Sequence, residues 1–125
     1  MNTRLDHLVL TVTDPEATAR WYGNVLGFEC VRFGEGRLAL MFDGGKINLH
    51  EAGNEFLPHA RHPQPGSADL CFVVGQPLMP FINHIKALGI GIEAGPVART
   101  GSRRPLLSVY IRDPDGNLIE IANEI

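Results

Sequence analysis

The chain is poor in the features that would take it outside ordinary globular chemistry. Its 125 residues include only two cysteines, Cys30 and Cys71, and these lack the Cys-x-x-Cys spacing of redox and zinc motifs. Each lies in an apolar strand-like run, where a buried, reduced thiol is expected. No apolar run approaches the ~20 residues needed to cross a bilayer. The opening residues, Met1 to Asp6, contain no apolar core of a signal peptide. A membrane is therefore not an expected partner, and a cytoplasmic location is expected by default. Formal net charge is −3 and no basic stripe is present, which argues against nucleic acid as a partner. Hydrophobic residues at 44% and charged residues at 20% fit a folded domain rather than a disordered chain. The length suits one domain over residues 1–125.

What is present is an internal repeat. Leu8-Val9-Leu10-Thr11-Val12 reads as a short strand. Asp14 then offers a helix N-cap and Pro15 suits the first helical position. Ala17, Trp21, Tyr22, Val25 and Leu26 fall at helical spacing, and Gly27 can supply a left-handed C-terminal cap. Strand-like pieces follow around 28–33, 38–42 and 46–51. With 62 added to the numbering, Leu8–Val12 become Leu70–Val74, Pro15 becomes Pro77, and Leu26-Gly27 become Leu88-Gly89. Leu78, Phe81, Ile82, Ile85 and Leu88 form the second helical stripe. Further on the offset is 70, so that His50 meets Glu120, and eight extra residues are expected within the Gly95–Pro105 stretch.

One copy is too small to cover both faces of its sheet. The expected fold is therefore α+β. Two βαβββ modules, about 1–52 and 67–125, form a curved mixed half-barrel with helices outside. Residues 52–66, with Pro58, Pro63 and Pro65, read as the linker.

Alternation along strands sorts the polar residues by face. Ile47 and Leu49 are expected on one face of their strand, with Asn48 and His50 on the other. Glu120 lies among Ile119 and Ile121 but on the opposite phase. The repeat maps His7 onto Asp69 and His50 onto Glu120. Imidazoles with carboxylates suit a divalent first-row metal and leave positions open for substrate oxygens. A lone histidine near a strand end is more often an ordinary hydrogen-bonded residue. A carboxylate inside an apolar strand is costly unless paired or bound. The joint placement favours a metal held by His7, His50 and Glu120, with Asp69 a fourth candidate that also fits a turn-capping role. Arg99, Arg103 and Arg104 cluster with glycine, suited either to a substrate anion or to solvent. Tyr110, an even ten residues before Glu120, shares its face.

The segment Asp113-Pro114-Asp115-Gly116-Asn117-Leu118-Ile119-Glu120 resembles the hallmark hairpin of the vicinal-oxygen-chelate superfamily of glyoxalases, bleomycin-resistance proteins and dioxygenases. Leu5–Val12, followed by Trp21-Tyr22 and Val25-Leu26-Gly27, resembles its opening strand and helix. Asn48–Glu51 and Gly95–Gly101 are similar to small single-domain lactoylglutathione lyase-like members. The resemblance implies metal positions at His7, His50, Asp69 and Glu120. It also implies a tyrosine at Tyr110 like the phosphonate-contacting one of fosfomycin enzymes. Asp69 stands where many metal-dependent members have histidine. The expected function is a lyase or isomerase of glyoxalase type, dependent on Zn, Ni, Mn, Fe or Co, acting on a small substrate with vicinal oxygens. Glu120 and Tyr110 are the catalytic candidates; Asn48 and the three arginines are the substrate-binding ones. The alternatives are a non-catalytic antibiotic-type binding protein, a small ring-cleaving dioxygenase or a thiol transferase. A homodimer is expected, with His7 able to serve a partner's site.

Overall fold

The computed structural model describes residues 1–125. The chain falls into two compact units, Met1–Ser67 and Ala68–Ile125, each a βαβββ module. In the first, strand β1 (His7–Val12) leads into helix α1 (Pro15–Leu26), then β2 (Glu29–Phe33), β3 (Arg37–Phe42) and β4 (Gly45–Glu51). In the second, β5 (Asp69–Val73) leads into α2 (Leu78–Ala87), then β6 (Ala94–Thr100), β7 (Pro105–Arg112) and β8 (Leu118–Glu124). The sheets have the orders β1-β4-β3-β2 and β5-β8-β7-β6. Only the β1–β4 and β5–β8 pairs are parallel. The repeat and both stripes of the α+β reading are therefore present. No helix is long and apolar enough to cross a membrane.

The local causes are those the residues suggest. Asp14 accepts a hydrogen bond from the Ala17 amide at 3.1 Å, Pro15 begins the helix, and Gly27 ends it at φ 71°. Such a cap is worth about 1 kcal/mol. Helix α1 packs on β2, β3 and β4, burying Thr18, Ala19, Tyr22 and Val25. Trp21 is only half-buried and meets Tyr22 edge to face at 4.9 Å. Helix α2 buries Leu78, Ile82 and Ile85 and leaves Leu88 exposed. It has no side-chain N-cap of its own. Asn123 on β8 supplies one by accepting from the Leu78 amide at 3.0 Å, while its own amide donates to Val74 and Gln76 carbonyls.

Two expectations need correction. Cys30 and Cys71 are exposed, not buried, because their runs are an outer strand of each sheet. The extra length falls where the offset placed it: Arg37 is the counterpart of Ser108, and ten residues separate Val97 from Ser108 where three separate Phe33 from Arg37, with one more at the register shift between Ala94 and Val97. The equivalence of His50 with Glu120 is also displaced. Val9 pairs with Asn48 as Cys71 pairs with Glu120, so the register makes Asn48 the counterpart of Glu120 and Ala122 that of His50. A shift of two preserves the face, which is why alternation alone could not reveal it.

Candidate functional site

In the first module His7, Val9 and Thr11 share a sheet face with Lys46, Asn48 and His50. His7 opens β1 and is exposed. Its Nδ1 lies 2.9 Å from the Asp6 carboxylate. An imidazole held this way keeps Nε2 available, the usual arrangement of a metal-binding histidine and its orienting carboxylate. The same contact, the largest influence on Asp6, holds that carboxyl below its ordinary range. Gly45 lets the Asp6 backbone lie close against the start of β4, since a Cβ there would stand 2.9 Å from the Asp6 carbonyl oxygen.

His50 is in a different setting. It is 3% exposed, and Arg37 Nη2 lies 3.4 Å from its Nε2. Burial first, and then the Arg37 charge, lower the pKa of the ring. Phe56 meets the ring at 5.5 Å. Asn48, 6% exposed, shares the face.

In the second module Asp69, Cys71 and Val73 share a face with Leu118, Glu120 and Ala122, and with Ser108 and Tyr110 across β7. Glu120 is half-buried. Ser108 donates to its Oε2 at 2.6 Å, and it forms no ion pair. Partial desolvation, and then the neighbouring Glu120, push the Cys71 thiol up to about 11, so it stays protonated at neutral pH. Tyr110 stands directly across from Glu120. Its hydroxyl accepts from Arg99 Nε at 2.9 Å. Arg99 also covers the Tyr110 ring at 5.4 Å. A concavity of about 330 Å³ is lined by Cys71, Glu120, Glu124 and all three candidate arginines.

The second module thus brings Glu120, Tyr110 and the arginines together, with Asp69 one pleat away on the same face. The first brings His7, Asn48 and His50 to one face. No three His, Cys, Asp or Glu side chains gather anywhere in the chain as a ready metal-holding group. Ser108 and Arg37 were missed in the sequence. Both lie on strands whose partners become known only once the hairpin register is fixed.

The hallmark octapeptide proves to be a clamp. Asp113 Oδ1 accepts from the Asp115 and Asn117 amides, and Oδ2 from the Asn117 side chain at 2.8 Å. Asn117 Oδ1 in turn accepts from the Ala68 amide at 2.9 Å. Both side chains are buried. This tie fixes β5 against β8, and so sets Cys71 beside Glu120 and Asp69 one pleat away.

Residues 4–121 match the family model of the Glyoxalase/Bleomycin resistance protein/Dioxygenase superfamily. The chain belongs to this superfamily. It is 52% identical over 122 residues to Virulence protein STM3117 of Salmonella typhimurium, covering 98% of this chain and 85% of that protein. The crystal structure of that protein superposes with a TM-score of 0.97 over 100% of this chain and 99% of the other. Glyoxalase domain-containing protein RDO1 of Mycosarcoma maydis is 50% identical over 95% of this chain and 67% of its own length. Lactoylglutathione lyase from Agrobacterium tumefaciens shares the fold, with a TM-score of 0.73 at 23% identity over 98% of this chain and 94% of the other. The glyoxalase-superfamily fold expected from the hairpin and the opening strand is thus present along the chain.

Proposed function

We propose that this glyoxalase-superfamily protein is a divalent-metal-dependent enzyme with lyase or isomerase chemistry on a small substrate bearing vicinal oxygens. The observation that carries the reading is Glu120. It is a carboxylate placed mid-strand in an apolar run, held by a neutral donor, Ser108, and left without a cation. Such a group is costly to keep unless it has work to do. The imidazole of His7 and the carboxylates of Asp69 and Glu120 are donors whose chemistry suits a first-row divalent ion. The orientation of His7 by Asp6 supports that role. Arg37 occupies the nitrogen that His50 would offer, so His50 is assigned to the substrate side.

A bound ion would supply Lewis acidity to adjacent substrate oxygens. The chain's own contribution is positioning and proton handling. Ser108 fixes Glu120 Oε2, leaving Oε1 to take up or return a proton. Arg99, braced by Tyr110, and its neighbours Arg103 and Arg104 attract an anionic group to the same concavity. His7 belongs to the first module, Asp69 and Glu120 to the second. A homodimer that completes the set is the assembly we favour.

Elemental analysis of the chain purified without chelating resin, combined with sedimentation and a panel of 2-oxo and 2-hydroxy carbonyl substrates, tests this directly. Stoichiometric metal with metal-dependent turnover is the expected result. Turnover that survives complete metal removal would overturn it.

A further inference from the structure

The first module holds a polar cluster that the proposed metal chemistry does not use. The Leu38–Leu49 pairing of β3 with β4 brings Arg37 across from His50 on the face that also carries Asn48. The Arg37 guanidinium lies between the Phe56 ring, at 4.4 Å, and the Phe33 ring, at 4.9 Å. These rings hold its plane, as aromatic faces do for arginine. No acidic side chain pairs with it: the ion pairs are Arg4–Asp6, His7–Asp6, Arg32–Glu16 and Arg112–Glu93.

Arg37 can only donate, so the His50 Nε2 facing it accepts, and the proton of the neutral ring sits on Nδ1. That Nδ1 is buried and has no partner. Neither has the buried Arg37 Nε or the buried Asn48 Oδ1. Leaving a buried donor or acceptor unsatisfied costs about 1–3 kcal/mol each. Three such atoms from contacting or neighbouring residues on one sheet face call for an occupant. Their characters define it: two donors, one of them on a cation, and one acceptor. A carboxylate oxygen satisfies the donors, and a hydroxyl on the adjacent carbon satisfies Asn48 Oδ1.

We propose that Arg37, His50 and Asn48 form the subsite for the carboxylate and neighbouring hydroxyl of a small 2-hydroxy acid, free or as the end of a larger substrate. The inference rests on the enzymatic reading only in calling that ligand a substrate. Binding itself stands apart from metal chemistry.

The test is calorimetric and NMR titration of the full chain, metal-loaded and metal-stripped, with glycolate, acetate and methyl glycolate, following the His50 ring nitrogens. Glycolate is expected to bind most tightly, acetate more weakly, and the uncharged ester not measurably. Arg37→Met should weaken glycolate at least tenfold, and Arg37→Lys should restore part of it. Asn48→Ala should reduce glycolate to the level of acetate and leave acetate unchanged, a pattern that a merely structural role would not produce. The metal content of all three variants should equal that of the parent chain. Equal binding of glycolate and acetate, or glycolate affinity indifferent to Arg37→Met, would overturn the subsite. Glycolate binding by a chain that takes up no metal even when metal is offered would sink the enzymatic reading and leave the subsite standing.

Discussion

The two modules repeat one topology and divide the chemistry between them. At equivalent places the first carries Arg37 and His50, while the second carries Ser108 and Ala122. Conversely, Asn48 in the first stands where Glu120 stands in the second. His7 and Asp69 occupy the one pair of positions where both modules offer a potential metal donor. Duplication therefore supplied a frame. Substitution on the shared face then made one half a cation-bearing, ring-lined surface and the other a carboxylate held by hydroxyl and thiol neighbours. The lesson is that fold equivalence here does not carry residue equivalence with it.

The largest expected effect comes from exchanging that carboxylate. Glu120→Gln keeps the Ser108 contact but removes the charge. It should lower metal affinity by at least about a hundredfold, beyond the 10–100-fold typical of residues one layer out from a metal. Metal content by elemental analysis, unchanged from the parent, would show that the second module's carboxylate is not a ligand. His7→Ala should have a comparable effect if both modules contribute. A large loss from Glu120→Gln beside none from His7→Ala would confine the chemistry to the second module.

Next comes the clamp. Asn117→Ala removes the side-chain bond to Asp113 Oδ2 and the acceptor of the Ala68 amide, and should cost about 1–3 kcal/mol. Denaturant unfolding would show a lower midpoint with an unchanged slope. The first module has the equivalent backbone bond, from the Lys46 amide to the Asp6 carbonyl at 3.3 Å, but only an exposed Arg4 side-chain bond to the Gly44 carbonyl beside it. No side-chain exchange there should match this loss.

How much of this was legible beforehand follows from the same contrast. Helix α1 could be read because Asp14, Pro15 and Gly27 act within a few residues of themselves. The strands could be read from alternation, and the octapeptide marked the family. The displacement of His50 against Glu120 could not be read, because a two-residue slip leaves every side chain on its expected face. Nor could Arg37, which gains its meaning from Phe33, His50 and Phe56, brought to it by pairing and by a connecting segment. The exposure of Cys30 and Cys71 escaped for a related reason: an apolar run does not say whether its strand lies inside a sheet or at its border.

Smaller effects separate binding from stability in the second module. Arg99→Ala should raise KM with little change in kcat, by an amount equivalent to about 1–3 kcal/mol if the substrate anion meets it directly. Tyr110→Phe removes only the hydroxyl that braces Arg99 at 2.9 Å, so a shift of about 0.5–1.5 kcal/mol is expected. Steady-state kinetics that respond to neither would release this concavity from any role in binding.

The smallest effect lies on the surface. Arg112 grips Glu93 with two bonds, 3.0 and 2.7 Å. That hydrogen bond is the main reason the Glu93 carboxyl sits below its ordinary range. A depressed folded-state value means stability that is present above the unfolded value and is lost as pH falls through the folded one. Glu93→Gln should therefore narrow the gap in Tm between pH 7 and pH 3, and added salt should shrink the difference further. An identical pH profile for the variant would show that solvent already screens the pair.

The strand order of the second sheet has a consequence for how the protein is made. Strand β8 lies between β5 and β7, yet it is the last of the ten elements to be synthesised. Until it emerges, β5 has no neighbour in its sheet, and the β6–β7 hairpin has no inner strand to rest on. Long-range parallel pairing of this kind is slow to close, and unpaired strands are exposed to wrong partners while they wait. The first module has its own central strand, β4, complete by Glu51 and can settle early on the ribosome. The nascent chain therefore carries a finished module ahead of an open one, and a ribosome stalled before Leu118 would present a half-built sheet to its surroundings.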